Sequence, residues 1–470
     1  MMRESLVNYI ESVKKGALAP HDYIAELIPR LVEENQRLNA FSNLVTRIED
    51  GPEGPLKGVP FTVKDNICVK GSLTRAGSRI LDGYHPPFDA TVVSRLKSAG
   101  AVFIGTTNMD EFGFGTFSTN CAFGPPKNPF DSSRSCGGSS GGAACASAIM
   151  KHHIAVAEST GGSISCPASF CGVVGFTPTY GRISRYGLID YANSLDKIGL
   201  VGRSIEDIAL VLPIIAGKDE MDPTSLAQPP LRLADEEIRS VAVPRELIES
   251  IPDERIVRMF EESSRKLEEV GIEVSKVDMP VLRYSIPAYY ILACAEASTN
   301  LAKYCGMRYG KEGKDYDRMY NDFFTEVRTE NFGVEAKRRI MLGTYARMAG
   351  YRDQYYMKAL RVRQKIIEKF EEVFKEYDVI ATPTMPLLPP RFEEIAQMTP
   401  ATIYSLDFLT VPPNLAGIPQ VSMPMGYIDD LPVGIHFIAD HWQESKLVSI
   451  GRIWEKQIDY RFPVNLGWSL

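Results

Sequence analysis

Residues 58–66 read Gly58-Val59-Pro60-Phe61-Thr62-Val63-Lys64-Asp65-Asn66. The stretch 58–63 has the composition of a buried strand, and a lysine follows it directly. Such a lysine has two readings, a solvated strand end or a buried amine. The second suits a base, because burial disfavours the charged form of a lysine and makes it a proton acceptor near neutrality.

Outward from this stretch, short apolar strands alternate with small-residue helices. Thr91 to Ala99 predicts a helix with Val92, Val93 and Leu96 inward, ended by Gly100. Ala101-Val102-Phe103-Ile104-Gly105 and Ile154-Ala155-Val156-Ala157 predict buried strands. Further on, Ser240 to Val243, Ile272 to Val277, Asp378 to Thr382 and Pro432 to Ile438 read as strands, and Arg255 to Val270 as an amphipathic helix. This order predicts an α/β fold with a sheet covered by helices on both faces. The chain, 1–470, reads as a single domain: helices over 1–50, a core over 58–205 and a helical excursion over 285–375.

The chain has 470 residues, 44% of them hydrophobic and 24% charged, enough to bury a large core. Its formal net charge of −7 makes it a poor counterion for a phosphate backbone, so any nucleic acid is expected to be held by a partner. Met1 to Leu6 carry no apolar leader run, and no stretch approaches the length of a membrane span, which predicts a cytoplasmic chain without membrane contact. None of the eight cysteines forms a Cys-x-x-Cys pair, so they read as reduced thiols and not as a metal site.

Two further motifs bear on chemistry. Cys136-Gly137-Gly138-Ser139-Ser140-Gly141-Gly142 opens the small-residue run 143–148. It reads as a Gly/Ser turn with Ser139 or Ser140 as helix N-cap, or as a site built from free backbone N–H groups. No Walker lysine follows, which excludes a phosphate loop. Ser159-Thr160-Gly161-Gly162-Ser163 follows the strand 154–157. A serine reached through two glycines after a buried strand can be exposed on a turn, where adjacent backbone N–H groups can meet an oxyanion. None of the six histidines has the serine and acid context of a Ser-His-Asp triad, and His152-His153 read as strand-edge residues. Lysine then becomes the natural base.

Together, residues 58–66, 137–142 and 160–164 resemble the amidase signature family. The resemblance implies a large mixed sheet and a Ser–Ser–Lys triad. Ser163 matches the nucleophile, Ser139 the bridging serine after a cis peptide bond, and Lys64 the base. Backbone N–H groups of Thr160, Gly161, Gly162 and Ser163 match the oxyanion hole. Within the family the chain is similar to the glutaminase subunits of tRNA-dependent amidotransferases. Residues 108–112, 178–187, 337–343, 404–407 and 410–417 carry that likeness. It implies that Arg339, rather than Arg338, holds the α-carboxylate of glutamine and that Asp407 holds its α-ammonium. It also implies a B subunit that binds ATP, Mg and tRNA, a small C subunit, and no metal or cofactor in this chain. The chain departs from the family at Ser159 and Ser165, where Asp and Arg are usual, and at Cys136 and Cys166, where Pro and Gln are common. The competing readings are a free-standing amidase for aryl, acyl or aliphatic amides and a non-enzymatic scaffold. Arg339 with Asp407 argues against the first, and Lys64, Ser139 and Ser163 against the second.

Overall fold

A computed structural model describes residues 5–313, 316–464 and 466. Eleven strands form one sheet: β1 (Phe41–Leu44), β2 (Pro60–Lys64), β3 (Val102–Thr107), β4 (Ile154–Ser159), β5 (Val174–Thr177), β6 (Lys197–Gly202), β7 (Ser240–Pro244), β8 (Glu273–Val277), β9 (Val379–Pro383), β10 (Gln420–Ile428) and β11 (Leu431–Ile438). Their order in space is β1-β3-β2-β4-β6-β5-β10-β11-β9-β7-β8. The sheet is mixed. β2 lies parallel to β3 and β4, and β7 parallel to β8 and β9, while the other pairs are antiparallel. Every residue of β2, β4, β5, β6, β9 and β11 is buried. Successive strand residues face opposite sides, so both faces of the sheet are covered.

The predicted helices and strands of the core are present within a residue or two, but three expectations need correction. The N-terminal fifty residues are not all helical: helices Leu6–Lys14 and Pro20–Leu38 give way to edge strand β1. That expectation began at residues 1–4, which lie outside the described residues. The sequence places Tyr23, Ile24, Leu27, Leu31 and Val32 on one apolar stripe, but Val32 is 49% exposed, because the other four already fill the buried face. β5, β6 and β10 were not anticipated. β6 carries Gly199 and Gly202 inside it, which lowers its strand propensity, and pairing with β4 and β5 overrides that. The excursion over 285–375 contains helices Ser285–Asn300, Tyr320–Asn331, Val334–Arg347 and Tyr356–Val373.

β2, β3 and β4 run parallel, so their carboxyl ends lie together at one edge of the sheet. Loops leaving such ends are the usual place for chemistry in an α/β sheet.

Candidate active site

Lys64 is the last residue of β2 and is fully buried. Its Nζ lies 2.7 Å from Ser139 Oγ, 3.0 Å from the Glu158 carbonyl and 2.8 Å from Glu158 Oε2. Ser139 follows a cis peptide bond from Gly138, and helix Gly141–Ile149 starts two residues later with Ser140 at its N-cap. Ser140 does not cap through its side chain. Its hydroxyl donates to the Glu158 carbonyl at 3.0 Å, and its N–H donates to the Ser163 carbonyl at 3.2 Å. The turn bearing Ser139 is thereby tied to both ends of the segment from Glu158 to Ser163.

Ser163 stands on the loop after β4 and lines a pocket with Gly138, Gly161, Gly162, Tyr289, Tyr290, Arg339 and Asp407. Its hydroxyl makes no hydrogen bond among the described residues, which leaves it available to a ligand in the pocket. The loop glycines are needed for close approach. A Cβ on Gly161 would collide with the Tyr289 ring, and one on Gly162 with the Thr410 hydroxyl. The Gly161 carbonyl is held by the Asn414 side-chain amide, which fixes the loop against helix Val411–Ala416. The N–H groups of Gly161, Gly162 and Ser163 donate no hydrogen bond among the described residues, the condition required of oxyanion donors.

The opposite wall comes from the helical excursion. Arg339 is buried. Its Nε donates to Glu335 Oε1 at 2.8 Å and its Nη1 to the Tyr191 hydroxyl at 2.6 Å. Arg338 does not line the pocket; it is 37% exposed and pairs with Glu335 from outside. Asp407 accepts hydrogen bonds from Tyr290 at 2.8 Å and Thr116 at 3.1 Å. Burial pushes its carboxyl up to about 6, against the lowering pull of those two hydroxyls and of Arg339. The site thus offers a fixed cation and a fixed anion on one side and a serine hydroxyl on the other.

No histidine hydrogen-bonds Ser139 or Ser163 among the described residues. His153 directly precedes β4 and is buried against Thr62 at 2.9 Å, and burial, then Arg203, drops its pKa to about 3. Of the departures from the family pattern, Ser159 is buried with its hydroxyl unpartnered, and Ser165 Oγ lies 3.4 Å from His436 Nε2.

Several residues of the site went unread in the sequence. Glu158 had a visible signal, a carboxylate inside the apolar strand 154–159. Asp110, whose carboxyl accepts from the N–H groups of Ser118 and Asn120, is pushed up to about 7 by burial. Asp196, Tyr191 and Glu335 gave no local signal, since only the tertiary fold brings them against Thr160 and Arg339.

A family model described as Amidase matches residues 31–448. The glutamyl-tRNA(Gln) amidotransferase A subunit of Archaeoglobus fulgidus is 44% identical over 446 residues, covering 92% of this chain and 94% of that protein. Its counterpart of the same name in Haloarcula marismortui is 46% identical over 412 residues, covering 86% and 96%. Among solved structures, the glutamyl-tRNA(Gln) amidotransferase A subunit from Thermotoga maritima superposes with a TM-score of 0.80 at 37% identity, covering 93% of this chain and 94% of that one. A peptide amidase from Stenotrophomonas maltophilia gives 0.79 at 26% identity, covering 98% of each. With these likenesses spanning almost its whole length, the chain belongs to the amidase family.

Proposed function

We propose that this chain is the glutamine-hydrolysing component, the A subunit, of a tRNA-dependent amidotransferase. It turns glutamine into glutamate and ammonia, and a B subunit uses the ammonia to transamidate Glu-tRNA(Gln), Asp-tRNA(Asn) or both. One observation carries the substrate: Arg339 and Asp407 line the same small pocket as Ser163. A guanidinium matches an α-carboxylate, and a carboxylate matches an α-ammonium. A simple amide would leave both charges buried without a ligand to bind.

The chemistry starts from the Lys64–Ser139 hydrogen bond and extends to Ser163 as the family likeness implies. Lys64, as a free amine, accepts the Ser139 proton while Ser139 accepts that of Ser163. Ser163 attacks the side-chain amide carbon of glutamine. The resulting oxyanion turns to the N–H groups of the 160–163 loop. The proton returns through Ser139 to the leaving nitrogen, ammonia departs, and water cleaves the acyl-enzyme.

No helix among the described residues is long and apolar enough to cross a membrane. In this reading the complex works in the cytoplasm. The B subunit binds tRNA and supplies the ATP and Mg chemistry, a C subunit joins the pair, and the glutaminase chain carries no cofactor. The test is ammonia release from glutamine and from a simple aliphatic amide, with and without a candidate B subunit. Release from glutamine, raised by the B subunit, is the expected result. Release from the simple amide alone, unaffected by any partner, would favour the free-standing amidase.

A further inference from the structure

Behind Lys64 lies a chain of acids that the hydroxyl relay does not use. The three acceptors around Lys64 Nζ match the three hydrogens of an ammonium. A free amine has two hydrogens and a lone pair, so it donates twice to Glu158 and accepts from Ser139. Only the free amine can take a proton from Ser139. Yet the Glu158 carboxyl stands 2.8 Å away, in the place of an ammonium's counter-ion.

The far side of Glu158 offers a way out. Its Oε1 lies 2.6 Å from Thr160 Oγ1, which lies 2.9 Å from Asp196 Oδ1. Asp196 Oδ2 accepts the N–H groups of Tyr191 at 2.8 Å and Ala192 at 2.9 Å. One hydroxyl carries one hydrogen. Both contacts of Thr160 are hydrogen bonds only if one of the two carboxyl groups is itself protonated. The line Glu158–Thr160–Asp196 therefore holds one proton between two acids.

We propose that this proton moves between Asp196 and Glu158 through the Thr160 hydroxyl and so switches Lys64 between ammonium and free amine. The proposal rests on the amidase reading above. With the proton on Asp196, Glu158 is the carboxylate counter-ion of Lys64. In the switch, Asp196 gives its proton to Thr160 Oγ1 while Thr160 gives its own to Glu158 Oε1. One O–H bond breaks and one forms at each transfer, and the net charge stays the same. The negative charge now sits on Asp196, beyond Thr160. Lys64 is left as a buried cation beside a neutral acid; it gives the hydrogen it shares with Ser139 to that hydroxyl while Ser139 passes its own proton toward the pocket, and the lone pair then faces Ser139. Burial and then the charge of Glu158 hold the Asp196 carboxyl well above the ordinary range, the direction that favours a proton there. The other charges nearby are Asp110, which feels both Lys64 and Arg339, and Arg185, which acts on Asp196. Asp65 faces away, toward the N–H groups of Arg75 and Gly77. Asn66 donates to Glu158 Oε2 at 3.2 Å and keeps that oxygen toward Lys64. Glu158 and Asp196 are positioning residues, since neither lines the pocket.

The test is the pH profile of kcat for ammonia release by the full chain with its B subunit. Glu158→Gln imitates the protonated acid, with its NH2 toward Thr160 and its oxygen toward Lys64. The rising limb should move to lower pH by about one unit or more. Asp196→Asn imitates protonated Asp196 and keeps Glu158 a carboxylate, so the limb should move to higher pH by about as much. Both variants losing kcat with the limb unmoved, or shifting in the same direction, would overturn the proposal. Thermal melts of both variants check folding. If Asp196→Asn does not fold, Thr160→Val cuts the same line and carries the same alkaline expectation. A wild type that hydrolyses a simple amide but not glutamine defeats the substrate reading alone, and the three profiles are then read on that amide.

Discussion

The two walls of the pocket are built differently. The reacting wall comes from the sheet: Lys64 ends β2, Glu158 lies in β4, and Ser139 and Ser163 sit on turns tied by a backbone hydrogen bond from Ser140 to Ser163. The recognition wall comes from helices. Tyr289 and Tyr290 lie on helix Ser285–Asn300, Arg339 on Val334–Arg347 and Asp407 on the short turn Leu406–Leu409. In the first wall the Lys64 amine has a partner for each of its bonds. In the second, the groups meant for a ligand are engaged with one another and with Glu335. Tyr290 stacks on Tyr404 at 4.1 Å, and the Tyr404 hydroxyl reaches Glu335. The space left between the walls is about 10 Å3, room for no more than a single water. Glutamine binding therefore requires side chains that line this space to move apart. Chemistry is placed on the sheet and its turns, and selectivity on the helices.

That division can be broken or sharpened by mutation. The largest effect is expected in the sheet wall. Ser163→Ala and Lys64→Ala should each cut kcat for ammonia release by about 10³-fold or more, with glutamine and simple amides affected alike. Near-normal turnover by either variant would end the assignment. Next comes Asp407→Asn, which should lower kcat/KM for glutamine by about 10²-fold and spare simple amides, because only the amino acid presents an ammonium. A pH series sharpens this. With the Asp407 carboxyl held up to about 6, kcat/KM for glutamine should fall as pH drops through that value, because Asp407 takes up a proton and loses its charge. The step should be absent in the Asn variant. Arg339→Lys keeps the charge but loses the two-pronged fork, so KM for glutamine should rise about 10-fold with kcat little changed. Tyr404→Phe removes one hydroxyl from Glu335 at the rim, and a KM change of about 2-fold is expected from steady-state kinetics. Equal losses on glutamine and simple amides for the Asp407 and Arg339 variants would erase the distinction between the walls.

Legibility in the sequence follows the same division. The sheet wall was readable because its geometry is local: Lys64 ends an apolar run, and each serine follows two glycines within one loop. β1 was lost inside a supposedly helical N-terminus, since Phe41-Ser42-Asn43-Leu44 is too short to show a period. β6 was hidden by its glycines, and the strand order was beyond any pattern, because β5 pairs with β10 across more than two hundred residues. Arg339 and Asp407 came from likeness to relatives, not from local chemistry. Glu335 and Tyr191, which hold Arg339, were invisible because their contact with it exists only in the folded chain.

The crowding of acids around the reacting end also governs what happens after the bond is cut. The amide group that arrives is neutral; the carboxylate that replaces it is not. Glu158 already occupies Lys64, and Asp110 stands just behind Gly138, so the nascent anion meets no uncommitted cation at that end among the described residues. Repulsion from these acids should therefore favour departure of the product. Added glutamate should accordingly inhibit only at concentrations well above the KM for glutamine.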